Sequence, residues 1–125
     1  MEPAATLWSR DLGTQAHIWG YGSSPIIYRD LCILYFGPGP RSFLTALDKK
    51  SGKTVWEVDA PVTHPSERFD GFAGQKNGEI GSWSTPMIVK AGRRDDLVMT
   101  FANEMRGYVE RFGDAIIAKA QELPL

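Results

Sequence analysis

The chain has 125 residues, a formal net charge of −1 and one cysteine, and 42% of its residues are hydrophobic. This composition predicts one globular domain and excludes intrinsic disorder. The near-neutral charge offers no basic surface to nucleic acid or to an anionic membrane, and no apolar run approaches the ~18 residues of a membrane span. A single cysteine, Cys32, excludes an intrachain disulfide and a zinc site built from several cysteines.

Short segments rich in aromatic and β-branched residues predict an all-β fold. In the first half of the chain these segments are residues 6–9, 24–28, 31–36, 43–47 and 54–58. Arg29 and Asp30 fit a tight hairpin turn between the second and third of them. The segments from 24 to 58 therefore predict an up-and-down unit of four strands.

The same pattern returns in the second half of the chain. Residues 83–89 resemble residues 22–28, and residues 96–101 resemble the strand predicted at 31–36. Pro25 and Pro86 are 61 residues apart, and so are Gly52 and Gly113, which predicts an internal repeat. Between the two copies, residues 61–82 are rich in glycine and proline and predict a long loop.

The second copy is degenerate and carries fewer recognisable signals. Val109 stands at the position of Asp48, and Ile117 stands at that of Trp56. Asp95 and Asp96, directly after two arginines, predict a solvated hairpin turn. The alanine, lysine, glutamine and glutamate content after residue 113 is compatible with a short C-terminal helix as well as with a strand.

One stretch of the first copy carries a family signature. Residues 46–56 read ALDKKSGKTVW and resemble the repeat of PQQ-like β-propellers of the quinoprotein alcohol dehydrogenase type. That repeat has a small residue, Asp, Thr or Ser followed by Gly, and Trp at fixed positions. All of them are met here, by Ala46, Asp48, Ser51, Gly52 and Trp56. The resemblance covers about residues 8–113.

The resemblance implies a single domain, 1–125, that is a partial β-propeller of about two four-stranded antiparallel blades. Residues 1–13 would end a preceding blade, 14–60 would form one blade, and 83–125 the second. Asp48 and Gly52 would form the turn between the outer strands, Trp56 would dock on an adjacent blade, and Trp8 would end the preceding one. Because closed propellers have about 4–8 blades, we expect open apolar faces near Trp8 and at the second blade.

Aromatic residues precede the first strand of each predicted blade, close to where a propeller would have its central channel. His17, Trp19, Tyr21 and Trp83 therefore form a candidate binding face, and packing between blades is the alternative. No catalytic residues can be named. The two histidines, His17 and His64, show no metal-ligand spacing, and Cys32 lies in an apolar strand, as a buried structural thiol does.

These features predict a non-catalytic binding or scaffold module for a protein partner or ligand, with no cofactor. The alternative is a piece of a PQQ-dependent dehydrogenase whose active-site residues lie elsewhere. Such enzymes hold PQQ beside a disulfide of adjacent cysteines, with Ca²⁺ and a catalytic Asp, and one cysteine cannot supply that disulfide. A truncated product without an independent role is a further alternative. Remaining blades or further copies of the chain would cover the open faces. No signal peptide is visible and relatives are usually exported, so the localisation stays open.

Overall fold

The computed structural model describes residues 4–17, 19–61, 81–101, 104–109 and 115–119. These residues form two antiparallel sheets, each with its strands in sequential up-and-down order, and they contain no helix. The first sheet consists of β1 (Ile26–Tyr28), β2 (Leu31–Phe36), β3 (Phe43–Asp48) and β4 (Thr54–Asp59). The second sheet consists of β5 (Met87–Ala91), β6 (Arg94–Phe101), β7 (Glu104–Val109) and β8 (Ala115–Lys119). The predicted all-β class is confirmed, and the two sheets do not close into a ring.

The strands repeat along the chain with the spacing seen in the sequence. β1, β3 and β4 begin at Ile26, Phe43 and Thr54, and β5, β7 and β8 each begin 61 residues later. The first hairpin turns at Arg29, which adopts a positive φ of 53°. The second turns at Gly92 and Arg93, with Gly92 at a φ of 66°. Two-residue turns of this kind require left-handed backbone because only that twist matches the flanking strands.

Three sequence-based predictions are wrong in detail. Residues 6–9 form no strand, because this segment lies across the first sheet instead of pairing with it. The possible C-terminal helix is a strand over residues 115–119, because β8 completes the second sheet by pairing with β7. The hairpin turn precedes Asp95 and Asp96, which belong to β6. Most of the predicted loop, residues 62–80, lies outside the described residues.

The core lies between the two sheets. Alternate residues of a strand point to opposite faces, so each sheet turns one set of side chains towards the other sheet. The first sheet contributes Ile33, Tyr35, Leu44, Ala46 and Trp56, and the second contributes Leu97, Met99 and Phe101. The ring centroids of Tyr35 and Phe101 lie 5.7 Å apart in an edge-to-face arrangement.

The opposite face of the first sheet is also buried. Phe36, Phe43, Thr45 and Leu47 are each less than 9% exposed, although they point away from the second sheet. The N-terminal segment, residues 4–17, runs over this side. The Gln15 side-chain amide donates to the backbone carbonyls of Phe36 and Arg41, at 3.0 and 2.6 Å. The N-terminal segment thereby covers the side of the first sheet that faces away from the second sheet.

Candidate functional site

Three residues of the repeat signature, Asp48, Ser51 and Gly52, form the turn between β3 and β4. Asp48 Oδ1 accepts hydrogen bonds from the backbone N–H groups of Lys50 and Ser51, at 2.9 and 2.8 Å, and from the Ser51 hydroxyl at 3.1 Å. The Gly52 N–H donates to the Asp48 carbonyl at 2.7 Å, and Gly52 adopts a φ of 74°. This left-handed conformation favours glycine because a Cβ would be strained there. The carboxylate of Asp48 thus stabilises the turn by accepting three hydrogen bonds from residues within it.

Trp8 and Arg10 of the N-terminal segment close over this turn. The indole N–H of Trp8 donates to the Lys49 carbonyl at 2.8 Å. Its six-membered ring lies against Gly52 so closely that a Cβ added at Gly52 would come within 2.6 Å of Trp8 Cε3. The guanidinium of Arg10 donates to the Gly52 carbonyl and to Thr54 Oγ1. Trp8 therefore docks on the β3–β4 turn of the first sheet.

Ala46 and Trp56 lie opposite each other on β3 and β4. Ala46 is fully buried and Trp56 is 8% exposed, and both belong to the core between the sheets. The indole Nε1 of Trp56 is buried and has no hydrogen-bond partner among the described residues. Trp56 therefore packs towards the second sheet without a hydrogen bond from its indole. In Trp8, by contrast, the ring packs on Gly52 and the indole N–H is hydrogen-bonded to Lys49.

The hydrogen bonds to Asp48 predict that the contribution of this turn to stability depends on pH. Hydrogen bonds from the backbone N–H of Ser51 first, and then of Lys50, hold the pKa of Asp48 below its usual value of 3.8. A carboxylate with a lowered pKa stabilises the folded state fully above the unfolded-state pKa and loses this effect as the pH falls through the folded value. We expect the difference in free energy of unfolding between the wild type and Asp48→Ala to be constant near neutral pH and to shrink in this acidic range. Urea titrations at several pH values would measure it, and a pH-independent difference would contradict the role of the carboxylate.

Three of the four residues of the candidate binding face come together. The ring of His17 lies 5.1 Å from that of Trp83, edge-to-face, and 5.8 Å from that of Trp19. The rings of Trp19 and Trp83 are 5.9 Å apart. We call His17, Trp19 and Trp83 the aromatic cluster. Trp19 is 54% exposed and Trp83 is 37% exposed, so the cluster presents aromatic surface to solvent.

Hydrogen bonds fix the shape of the aromatic cluster. The indole N–H of Trp83 donates to the Gly20 carbonyl at 3.0 Å, across the two halves of the chain. The Trp19 N–H donates to His17 Nδ1, and the Gly20 N–H donates to the His17 carbonyl, both at 3.1 Å. A preformed aromatic surface loses little conformational entropy when it binds a partner.

Tyr21, the fourth residue of the candidate face, does not stack with the aromatic cluster. Its ring packs edge-to-face on Phe36 at 5.6 Å and therefore belongs to the cover of the first sheet. It remains 54% exposed. The sequence pattern could not separate Tyr21 from Trp19, because both precede β1 by a few residues and only the path of the chain sends their side chains apart.

Equivalent positions of the two copies meet beside the cluster. The Ser23 hydroxyl donates to the Ser84 carbonyl at 2.7 Å, and the Ser24 N–H donates to the Thr85 hydroxyl at 3.0 Å. Both pairs are 61 residues apart, which is the spacing of the repeat. The segments that lead into β1 and β5 therefore run side by side.

A shallow groove of about 460 Å³ lies next to the aromatic cluster. It is lined by Gly81, Ser82, Trp83, Ser84, Thr100 and Phe101. The Thr100 hydroxyl donates to Ser84 Oγ at 2.9 Å, so the polar part of the lining is itself hydrogen-bonded. Among the described residues, no charged side chain lines this groove.

The sequence pattern missed a polar contact between the sheets. Asp95 Oδ2 accepts a hydrogen bond from the Tyr28 hydroxyl and lies 3.8 Å from the Arg29 guanidinium. The sequence predicts a solvated turn at Asp95, but the position of this residue on β6 directs its side chain towards the first sheet. The alternation of buried Leu97 and Met99 on the same strand is the signal that could have indicated this direction.

Tyr35 is a fully buried titratable residue of β2. Burial raises the pKa of its phenol, and the neighbouring Ser42 hydroxyl and Ser82 backbone oppose that shift only in part. Neither neighbour meets the geometry of a full hydrogen bond with the phenol oxygen. Tyr35 therefore contributes mainly by packing, through its edge-to-face contact with Phe101.

Within the described part of the chain, no three His, Cys, Asp or Glu side chains are grouped so that they could hold a metal ion. Cys32 is a half-buried free thiol on β2, and His64 lies outside the described residues. In the same described ranges, no helix is long and apolar enough to cross a membrane. No protein-family model and no curated protein matches the chain.

Proposed function

We propose that the chain is a non-catalytic binding module with PQQ-like propeller blades, and that it contacts a protein partner through the aromatic cluster. The observation that carries this proposal is the exposure of Trp19 and Trp83 on a surface held by backbone hydrogen bonds. Tryptophan is enriched among the residues that dominate protein–protein binding energy, because it buries a large area at a small cost in conformational entropy.

The arrangement of the two sheets supports the comparison with propeller blades. The copies have the same strand order, and equivalent residues hydrogen-bond at the segments before β1 and β5. In a propeller these segments would face the central channel, where partners bind. Trp8 on the β3–β4 turn is the contact that the resemblance assigns to the tryptophan of a preceding blade.

The residues of this chain do not fit the quinone site of the related dehydrogenases. Cys32 is the only cysteine in the sequence, so a disulfide of adjacent cysteines cannot form. His17, the one histidine among the described residues, is engaged in the aromatic cluster. No observation favours the hypothesis of a PQQ-dependent dehydrogenase over that of a binding module.

The test uses peptides selected against the folded chain from a random library, with Trp83→Ala as the deciding variant. We expect Trp83→Ala to weaken the selected peptides by about 30-fold, because truncating a central tryptophan costs about 2 kcal/mol or more. Fluorescence anisotropy of a labelled peptide would measure the affinity. Tyr21→Ala is the matched control: it removes an aromatic ring that is more exposed than Trp83 and lies outside the cluster, and it should leave the affinity unchanged.

Two results would contradict the proposal. One is a set of selected peptides that bind the Trp83→Ala variant as tightly as the wild type. The other is an equal loss in the Tyr21→Ala variant, which would indicate general stickiness of exposed aromatic side chains. Circular dichroism of each variant would show that the sheets remain folded.

A further inference from the structure

Three turns meet at one end of the two sheets. The β1–β2 and β3–β4 turns of the first sheet are neighbours, because the Lys49 N–H donates to the Asp30 carbonyl at 2.9 Å. The β5–β6 turn of the second sheet lies at the same end, since Asp95, which follows that turn, is 3.8 Å from the guanidinium of Arg29. We call this part of the molecule the turn end.

Positive charge is concentrated at the turn end. Arg10 of the N-terminal segment belongs to this end as well, because its guanidinium donates to the carbonyl of Gly52 in the β3–β4 turn. Three carboxylates lie beside the cations, those of Asp30, Asp48 and Asp95, and leave an excess of three positive charges. The six cations of the three turns and the N-terminal segment are Arg10, Arg29, Lys49, Lys50, Lys53 and Arg93.

The net charge of the whole chain conceals this concentration. The chain carries −1 in total and +3 at the turn end, which leaves −4 elsewhere. The near-neutral composition predicts no basic surface, and this expectation is wrong at the turn end because turns from distant parts of the sequence assemble there. Lys50 and Lys53 are exposed and, in the ranges that the structure describes, form no ion pair. Their ammonium groups therefore remain available to an anionic partner.

The β3–β4 turn does not need the charges of its lysines. Its hydrogen bonds come from backbone groups and from the side chains of Asp48 and Ser51, and the three lysines contribute only backbone atoms to them. The sequence repeat supports this separation. The residues 61 positions after the three lysines are Glu110, Arg111 and Asp114, which carry one net negative charge. The positive charge is thus a property of this turn and not of the repeat.

We propose that the turn end docks an acidic segment of a partner protein, in which several Asp or Glu residues are clustered. Charge complementarity with Lys50 and Lys53 carries this assignment, because oppositely charged surfaces attract and orient each other. The hydrogen bonds to Asp48 and the docking of Trp8 hold the backbone beneath the lysines, so binding orders only side chains.

The turn end fits an acidic peptide better than a nucleic acid or an anionic membrane. Asp30 is 81% exposed among the cations and would face the closely spaced phosphates of either surface. A peptide places its carboxylates at separate positions and leaves Asp30 to solvent. Single-stranded nucleic acid also needs aromatic rings for base stacking. At the turn end the ring of Trp8 packs on Gly52, and the guanidinium of Arg29 lies over the ring of Tyr28.

The turn end and the aromatic cluster lie at opposite ends of the strands. β6 begins at Arg94, beside the β5–β6 turn, and ends at Phe101, which lines the groove next to the aromatic cluster. Its eight residues span about 25 Å, well beyond the Debye length of about 8 Å at physiological ionic strength. The two surfaces therefore allow the chain to hold two partners at once, as a scaffold does.

The probe for this surface is a fluorescein-labelled octaglutamate peptide, titrated with the full chain and followed by fluorescence anisotropy. We expect binding at about 0.1 M salt and a loss of at least tenfold in affinity at about 1 M, because the Debye length falls from about 10 Å to about 3 Å. An octaglutamine peptide of the same length should not bind.

Two pairs of substitutions locate the binding. Lys50→Gln with Lys53→Gln should weaken octaglutamate by about tenfold, the expected effect of losing two exposed ion pairs. Thr14→Glu with Ala16→Glu is the matched control, since it lowers the net charge by the same two units at exposed positions outside the turn end. The control should stay within about twofold of the wild type. Circular dichroism would show that all variants are folded.

Four results would overturn the proposal. The first is an absence of octaglutamate binding at low salt, and the second is an affinity that salt does not change. The third is an equal loss in the control pair, which would indicate a response to net charge alone. The fourth is tighter binding of a short DNA duplex, or of vesicles containing phosphatidylserine, through the same two lysines.

The turn end and the proposed function of the aromatic cluster can fail independently. Trp83→Ala should leave the affinity for octaglutamate unchanged while it weakens the peptides selected for the aromatic cluster. Lys50→Gln with Lys53→Gln should have the opposite pattern. A chain held on immobilised octaglutamate should still bind a selected peptide that depends on Trp83. Competition between the two probes would place them on one surface and overturn the proposal of a separate docking site.

Discussion

Replacing Trp56 with alanine is expected to lower the free energy of unfolding by about 3–5 kcal/mol, the range for truncating a large aromatic side chain in a core. Trp56 is 8% exposed and lies opposite the fully buried Ala46, between the two sheets. The small cross-strand neighbour cannot fill the space that the indole leaves. Urea unfolding followed by circular dichroism would measure the change, provided that the transition is two-state.

Trp56→Phe should cost far less than Trp56→Ala. Phenylalanine retains much of the buried aromatic surface and removes the indole N–H, which is buried without a hydrogen-bond partner. A buried unsatisfied donor costs about 1–3 kcal/mol, which offsets part of the lost packing. We expect the phenylalanine variant to be within about 1.5 kcal/mol of the wild type.

Val55→Ala is the matched control for Trp56. Val55 is the adjacent residue on β4, is 54% exposed, and should change the stability by less than about 0.5 kcal/mol. Equal losses in Trp56→Phe and Trp56→Ala would show that the N–H contributes to stability, which would contradict its unpaired state. A small loss in Trp56→Ala would mean that the two sheets do not share this core.

Gly52→Ala is expected to destabilise the chain by about 2–4 kcal/mol, through two separate effects. The first is backbone strain, because Gly52 has a φ of 74° and left-handed geometry costs a residue with a Cβ about 1–2 kcal/mol. The second is a collision, because the new Cβ would lie 2.6 Å from Trp8 Cε3. Trp8 would have to leave the turn and would lose its hydrogen bond to Lys49.

Gly92→Ala separates the strain at Gly52 from the collision. Gly92 has a similar φ of 66°, but nothing lies within 4 Å of a Cβ added there. The difference between the two alanine variants therefore reports the docking of Trp8. In a double-mutant cycle, the combination of Trp8→Ala with Gly52→Ala should lose less than the sum of the single changes. Strict additivity, or equal losses at Gly52 and Gly92, would argue against the docking of Trp8 on the turn.

Local sequence signals predicted the strands of the first sheet well. The tight turn at Arg29, the apolar run of β2 and the Asp48–Gly52 turn all depend on residues close in sequence, and the observed elements follow them within a residue or two. The 61-residue spacing of the sequence repeat also recurs in the structure, where β5, β7 and β8 begin 61 residues after β1, β3 and β4. Such features are readable because turn chemistry and side-chain alternation act over short distances.

The candidate site was predictable only in part. The sequence grouped four aromatic residues by their positions before two strands, but Tyr21 packs on Phe36 while the other three form the aromatic cluster. Asp95 was assigned to a turn, yet it contacts Tyr28 and Arg29 across the sheets. The direction of these side chains depends on contacts with residues far away in the sequence. The periodicity of the sequence carries no information about such contacts.

The sequence by itself determined the class of fold, the repeat and the residues of the β3–β4 turn, because these features follow from local conformational preferences and spacing. Only the tertiary structure decided that residues 115–119 form a strand, since β7 provides a partner that the ambiguous composition of the tail could not reveal. It also decided which faces are covered: the N-terminal segment closes one side of the first sheet, whereas Met87, Val89 and Met105 of the second sheet stay exposed. Burial of that kind arises between segments far apart in the chain, so it is fixed by packing and not by local sequence.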